Sequence, residues 1–127
     1  MNLKENLCAA LASLGADTSR YQFDDHSTIV MSFDDIGDLY LDPQSQGEVW
    51  MWGLLGELSE SARDALATPL LAELVRPAGH WMGGAMLLRE DGRVGGLLHG
   101  DCLQQPEKLA SALQDFHQTL LRLQALR

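Results

Sequence analysis

Between Thr28 and Leu55 the chain alternates side-chain type at period two in three consecutive runs, a pattern that only extended backbone satisfies. Ile29, Met31 and Phe33 alternate with Thr28, Val30 and Ser32. Leu39 and Leu41 alternate with Asp38, Tyr40 and Asp42, while Val49, Met51 and Gly53 alternate with Trp50, Trp52 and Leu54. The separators Asp34-Asp35-Ile36-Gly37 and residues 44–47 are turn formers, too short to hold a crossover. The spacing therefore predicts an antiparallel meander of strands 28–33, 38–42 (closed by Pro43) and 48–55. The third run is apolar on both faces, which suits a central or doubly covered strand.

Helical spacing flanks the meander. Leu3, Leu7, Leu11 and Leu14 form one stripe, predicting a helix over about residues 2–14 that ends at Gly15. Ser59 is positioned to cap a helix over about residues 61–76, with Ala62, Leu66, Pro69, Leu70 and Leu74 on its apolar side. Pro69 predicts a kink there, or a fresh start at Thr68-Pro69. Runs 81–89 and 93–99 flank Glu90-Asp91-Gly92, a strong hairpin signal. The glycines at 83, 84, 95 and 96 inside those runs predict a bulge, a bend or close backbone packing. Pro106 opens the last helix, striped by Leu109, Leu113, Phe116, Leu120 and Leu123. The order is α-β-β-β-α-β-β-α, an α+β fold with an antiparallel twisted sheet and helices packed against it. At 127 residues without repeats or linkers, residues 1–127 are read as one domain.

Charge removes several function classes. Nine Lys and Arg face eighteen Asp and Glu, a net charge of −9. Through Asp64 there are twelve acids against Lys4, Arg20 and Arg63, and beyond it six groups of each sign, so the whole excess lies in the first half. Scattered cations on an acidic chain do not neutralise phosphates, which argues against nucleic acid and anionic membrane surfaces. No apolar run approaches the roughly 18 residues of a membrane span, and the N-terminus carries no mark of general secretion. Cys8 and Cys102 form at most one disulfide and their spacing requires none, which fits a reducing cytoplasm.

The residues of catalysis and metal binding do not assemble. His99-Gly-Asp-Cys102 offers two ligand types but no second pair, and reads as a strand end and loop. Cys8 lies beside an apolar helix stripe, no G-x-S-x-G occurs, and the glycines precede no phosphate-binding helix. Asp24-Asp25 and Asp34-Asp35 lack the calcium-loop pattern and read as exposed turns. His26, His80, His99 and His117 fall in four different elements. The expectation is a protein that is not an enzyme and holds no metal or cofactor. What remains is apolar surface: Met31, Trp50, Trp52, Trp81, Met82 and Met86 suit either a core or an adaptable protein-binding face, and a meander plus a hairpin leaves sheet edges open to pairing.

The segment Asp25-His26-Ser27-Thr28-Ile29-Val30-Met31-Ser32-Phe33-Asp34, the run Val49-Trp50-Met51-Trp52, the element order and the acidity together resemble the class I chaperones of bacterial type III secretion systems, and most closely the multi-effector chaperones of the invasion-type systems. Pro69 and the glycine-rich fourth and fifth strands depart from that pattern. The resemblance implies a cytoplasmic homodimer that binds the N-terminal non-globular segment of one or more effectors. It would keep that segment secretion-competent and deliver it to the secretion apparatus. It also implies an effector-binding set of Leu3, Leu7, Leu11, Met31, Leu39, Leu41, Trp50 and Trp52, and a dimer interface of Leu66, Leu70, Leu74, Trp81 and Met82. A different class, an acidic inhibitor or immunity-type protein masking a basic partner, would use the carboxylates instead and lose its partner at high salt.

Overall fold

The apolar stripe of the last helix organises the structure. The computed structural model describes residues 3–14, 28–56 and 59–126. In chain order the elements are α1 (Leu3–Ser13), β1 (Ile29–Phe33), β2 (Gly37–Pro43), β3 (Val49–Leu54), α2 (Glu60–Leu74), β4 (Leu87–Leu88), β5 (Arg93–Leu97), α3 (Gly100–Gln104) and α4 (Pro106–Ala125). Pro106 sits in the first turn of α4, where its missing N–H costs nothing. From there Leu109, Leu113, Phe116, Leu120 and Leu123 all turn into the core. They meet the inward residues of the sheet, Ile29, Met31, Leu39, Leu41, Val49, Met51 and Val94, every one of which is buried. The fold class is α+β: an open five-stranded antiparallel sheet with helices packed against it.

The strand order is β1-β2-β3-β5-β4, so the meander is intact and the hairpin adds to its far side. Its register pairs Ile29 with Leu41, Leu39 with Gly53, and Met51 with Gly96. On the sheet face turned away from α4, Trp50 and Trp52 stack with rings 5.2 Å apart and 3° from parallel. Arg89 lies over Trp52 at 5.3 Å and Arg93 over Tyr40 at 5.5 Å. The α4 side is tied to the strands by Gln124, whose Nε2 donates to the carbonyls of Ile36 (2.8 Å) and Leu54 (3.0 Å).

Three expectations change. The predicted strand over 81–89 shrinks to Leu87–Leu88, with Trp81 making a single bridge to Leu98 and Met82–Gly84 forming a 3-10 turn. Gly83 (φ 78°) and Gly84 (φ 82°) adopt left-handed backbone that a strand cannot contain. Secondly, α2 runs unbroken through Pro69 under the Ser59 cap, whose Oγ accepts from Ala62 N at 3.1 Å. Pro69 and Ala65 are both exposed, so the carbonyl deprived of a donor is open to water. Thirdly, the loop expected after His99 is the short helix α3, capped by His99 Nδ1 accepting from Asp101 N at 3.1 Å. Both cysteines are free, in keeping with a spacing that requires no disulfide, Cys102 buried and Cys8 half-buried. Gly15, the polar stretch 16–26 and Asp24-Asp25 lie outside the described residues.

The glycine expectation in β5 is met by close packing. A Cβ on Gly95 would stand 1.8 Å from the carbonyl oxygen of Met51 in β3, a backbone atom that cannot move aside alone. Gly95→Ala is expected to destabilise the protein by about 3 kcal/mol. Gly79→Ala, where nothing lies within 4 Å of the new atom, should stay within about 0.5 kcal/mol. Urea unfolding of the two variants checks the contrast.

Candidate functional site

Three elements, α1, β1 and α4, leave an apolar cleft at one side of the sheet. α1 packs chiefly on α4, burying Leu7, Ala10 and Leu11, and buried Asn6 donates through Nδ2 to the carbonyl of Leu103 in α3. The helix stops beside β1, the first strand of the sheet, which is hydrogen-bonded to β2 alone among the described residues. Between α1, β1 and α4 lies a groove of about 380 Å³ lined by Leu11, Leu14, Met31, Phe33, Leu113, Gln114, His117 and Gln118. Its floor is apolar. Its α4 wall carries Gln114, His117 and Gln118, three polar side chains at helical spacing.

The groove is held at one end by the turn between β1 and β2. Asp35 Oδ1 and His117 Nε2 lie 3.0 Å apart, and the imidazole also meets Phe33 edge-on at 5.4 Å. The hydrogen bond from His117 keeps the Asp35 carboxyl below its ordinary range, against an opposing effect of desolvation. The contribution of that carboxylate to stability is present above the ordinary carboxylate pKa and is lost as pH falls through the depressed value.

The expected effector-binding set divides. Leu11 and Met31 line the groove. Leu7, Leu39 and Leu41 are fully enclosed in the core, and Leu3 is half-buried against it. Trp50 and Trp52 lie on the opposite face of the sheet, in a shallow depression with Asp42, Gln44, Leu87 and Arg89. The set is thus on two faces, with no shared surface. Sequence reasoning passed over Leu14, the last leucine of the α1 stripe and 43% exposed, and Phe33, the last inward residue of β1. Their position at the ends of their periodic runs was the available signal, because the end of a stripe overhangs what covers its middle.

The expected interface set divides as well. Leu70 is buried and Leu66 and Leu74 are half-buried. Trp81 is enclosed, meeting Phe116 edge-on at 5.3 Å. Met82 is 50% exposed, and α2 with the residue after it presents two further apolar side chains, Leu71 and Val75, 59% and 61% exposed. Among the described residues no group of three or more His, Cys, Asp or Glu could hold a metal ion, and no helix is long and apolar enough to cross a membrane.

A family profile described as the invasion protein B family matches residues 15–92, more than half of the chain. The chain belongs to the invasion protein B family. That is a family of type III secretion chaperones, not one known for enzymatic activity. The match spans the meander, α2 and β4, and so includes the β1 wall of the groove. A search among curated proteins finds no match. The family character fits a site made of apolar surface beside an open strand edge.

His117→Ala should return the Asp35 carboxyl to the ordinary carboxylate range, read by NMR titration of its side-chain carbonyl carbon. An unchanged Asp35 titration would show that the turn, and not the imidazole, sets its value.

Proposed function

We propose that this chain is a cytoplasmic bacterial type III secretion chaperone that binds the N-terminal non-globular segment of one or more effectors. It keeps that segment extended and competent for secretion, and passes it to the secretion apparatus. The observation that carries this reading is the groove between α1, β1 and α4 running beside β1, whose outer edge is unpaired among the described residues. An extended segment entering there can place apolar side chains against Leu11, Leu14, Met31 and Phe33 while its backbone pairs with β1. Gln114, His117 and Gln118 then meet polar groups that alternate with the apolar ones. Trp50 and Trp52 form a second apolar contact for a client long enough to cross to the other face, and Leu3 flanks the α1 end.

The functional unit in this reading is a homodimer. Leu66, Leu70, Leu74, Trp81 and Met82 belong to the half that associates. Within it Leu71, Val75 and Met82 supply the outward apolar side chains, while Leu70 and Trp81 hold those elements to the core. The net negative charge of the first half of the sequence helps to keep an exposed apolar surface soluble before a client arrives.

Leu14→Asp and Phe33→Asp should each weaken binding of a purified N-terminal effector segment at least about tenfold while the far-UV circular dichroism is unchanged. Raising salt should alter wild-type affinity little, because the groove is apolar. Unaltered binding by both variants, or binding abolished by salt, would sink the groove assignment. Leu71→Asp combined with Val75→Asp should convert a dimer to a monomer in sedimentation, and a wild type already monomeric would remove the dimer from the proposal.

A further inference from the structure

His80 is the most enclosed of the three described histidines, its side chain 11% exposed against 24% for His117 and 45% for His99. Its Nε2 is shut off from solvent and has no hydrogen-bond partner. Asp115 Oδ2 on α4 stands 3.8 Å away, too far for a hydrogen bond. The ring lies against Trp81 at 4.5 Å, and the backbone carbonyl accepts from His99 N at 2.7 Å. A buried imidazole in this setting is tolerated when neutral and costly when charged.

The charged groups around it come from three sides. α4 contributes Asp115, which attracts a proton to the ring. The end of α2 contributes Arg76, which repels one. The third side is a cleft of about 570 Å³ where His99, Asp101, Glu107 and Lys108 gather. Asp101 there is engaged by Lys108 (3.5 Å) and His99 (3.8 Å). Burial is the largest influence and holds the imidazole below the ordinary histidine value, with Arg76 adding to it against the pull of Asp115.

The ring also sits at a junction. Thr119 Oγ1 donates to the Asp115 carbonyl at 2.9 Å and accepts from Arg76 at 3.2 Å and Arg122 at 3.1 Å. Both arginines reach Glu73 of α2, Arg122 at 3.1 Å and Arg76 at 3.6 Å. The segment 77–86, α2 and α4 are thus joined around one unsatisfied imidazole.

We propose that His80 is a pH-responsive joint, whose protonation loosens the segment 77–86 and the C-terminal turn of α2 from α4 while the meander stays in place. The elements that loosen carry Leu71, Val75 and Met82, so this protonation acts on the apolar surface of that half. The sign follows from the neutral native ring. Stability is complete above the ordinary histidine pKa of about 6.5 and falls as pH drops below it, because the unfolded chain binds the proton more readily.

The test compares hydrogen exchange, corrected for the intrinsic rate, and thermal melts at about pH 7.5 and pH 5.5 for wild type, His80→Gln, Asp115→Asn and His99→Gln. Wild type and His99→Gln should lose protection at 77–86 and at the end of α2 at the lower pH, with a drop in Tm of a few degrees. His80→Gln should lose none. Asp115→Asn, deprived of the carboxylate that favours the charged ring, should lose more than wild type. An acid response in His80→Gln equal to that of wild type, or its abolition in Asp115→Asn, would overturn the proposal. Should His80→Gln fail to fold, proton NMR of the wild-type ring decides: titration below about 6.5 supports the joint, and titration at or above it refutes it.

Discussion

The seating of α4 on the sheet is the constraint on which the remaining structure depends. Leu120 occupies space at Gly53 that any side chain would fill, since a Cβ there would stand 2.5 Å from its methyl carbons. Five buried stripe residues contribute on the order of 10 kcal/mol of apolar burial before chain entropy is counted. α1 and α2 both dock on α4. The helix therefore has two flanks, and each flank has a separate task. One flank builds the groove with α1 and β1, and the other holds α2 through Arg122, Thr119 and Glu73.

Apolar contact alone leaves the position of a helix along a sheet loosely set, because leucines tolerate sliding. Polar contacts from α4 to fixed backbone points remove that freedom. Gln124 grips the carbonyls of Ile36 and Leu54, and His117 grips Asp35 in the same β1–β2 turn. Each Gln124 bond is worth only about 1 kcal/mol net, but together with the His117 contact they fix which residues of α4 face the cleft. The groove wall of Gln114, His117 and Gln118 is thus a consequence of bonds made elsewhere on the same helix.

Much of the fold was legible because two periods, 2 and 3.6, dominate the sequence. The meander strands and the α4 stripe lie within a residue or two of their expected bounds, and the hairpin turn at Asp91-Gly92 forms where the Asp-Gly pair stands. The fourth strand was misread because alternation is blind to backbone handedness, and Gly83-Gly84 permits a turn inside an otherwise apolar run. The site was only half legible for a related reason. Periodicity identifies the face a residue is on, but not how far the opposite element extends. Leu7 and Leu14 share one stripe, yet Leu7 is enclosed and Leu14 overhangs. Trp81, which the sequence left open between core and adaptable surface, is core, because Phe116 and the bare backbone of Gly96 make room for its ring.

The shortness of β4 makes the two ends of the sheet unequal. β1 runs five residues, whereas β4 has two and is preceded by a left-handed glycine pair. A strand laid alongside β4 would find too few backbone groups in line to hold it, but β1 presents a full ladder. Among the described residues the sheet therefore has one outer strand long enough to pair with another, and that strand is the one beside the groove. Under the proposed function, an added strand is thereby confined to one side of the sheet, and the β4 side stays clear of it.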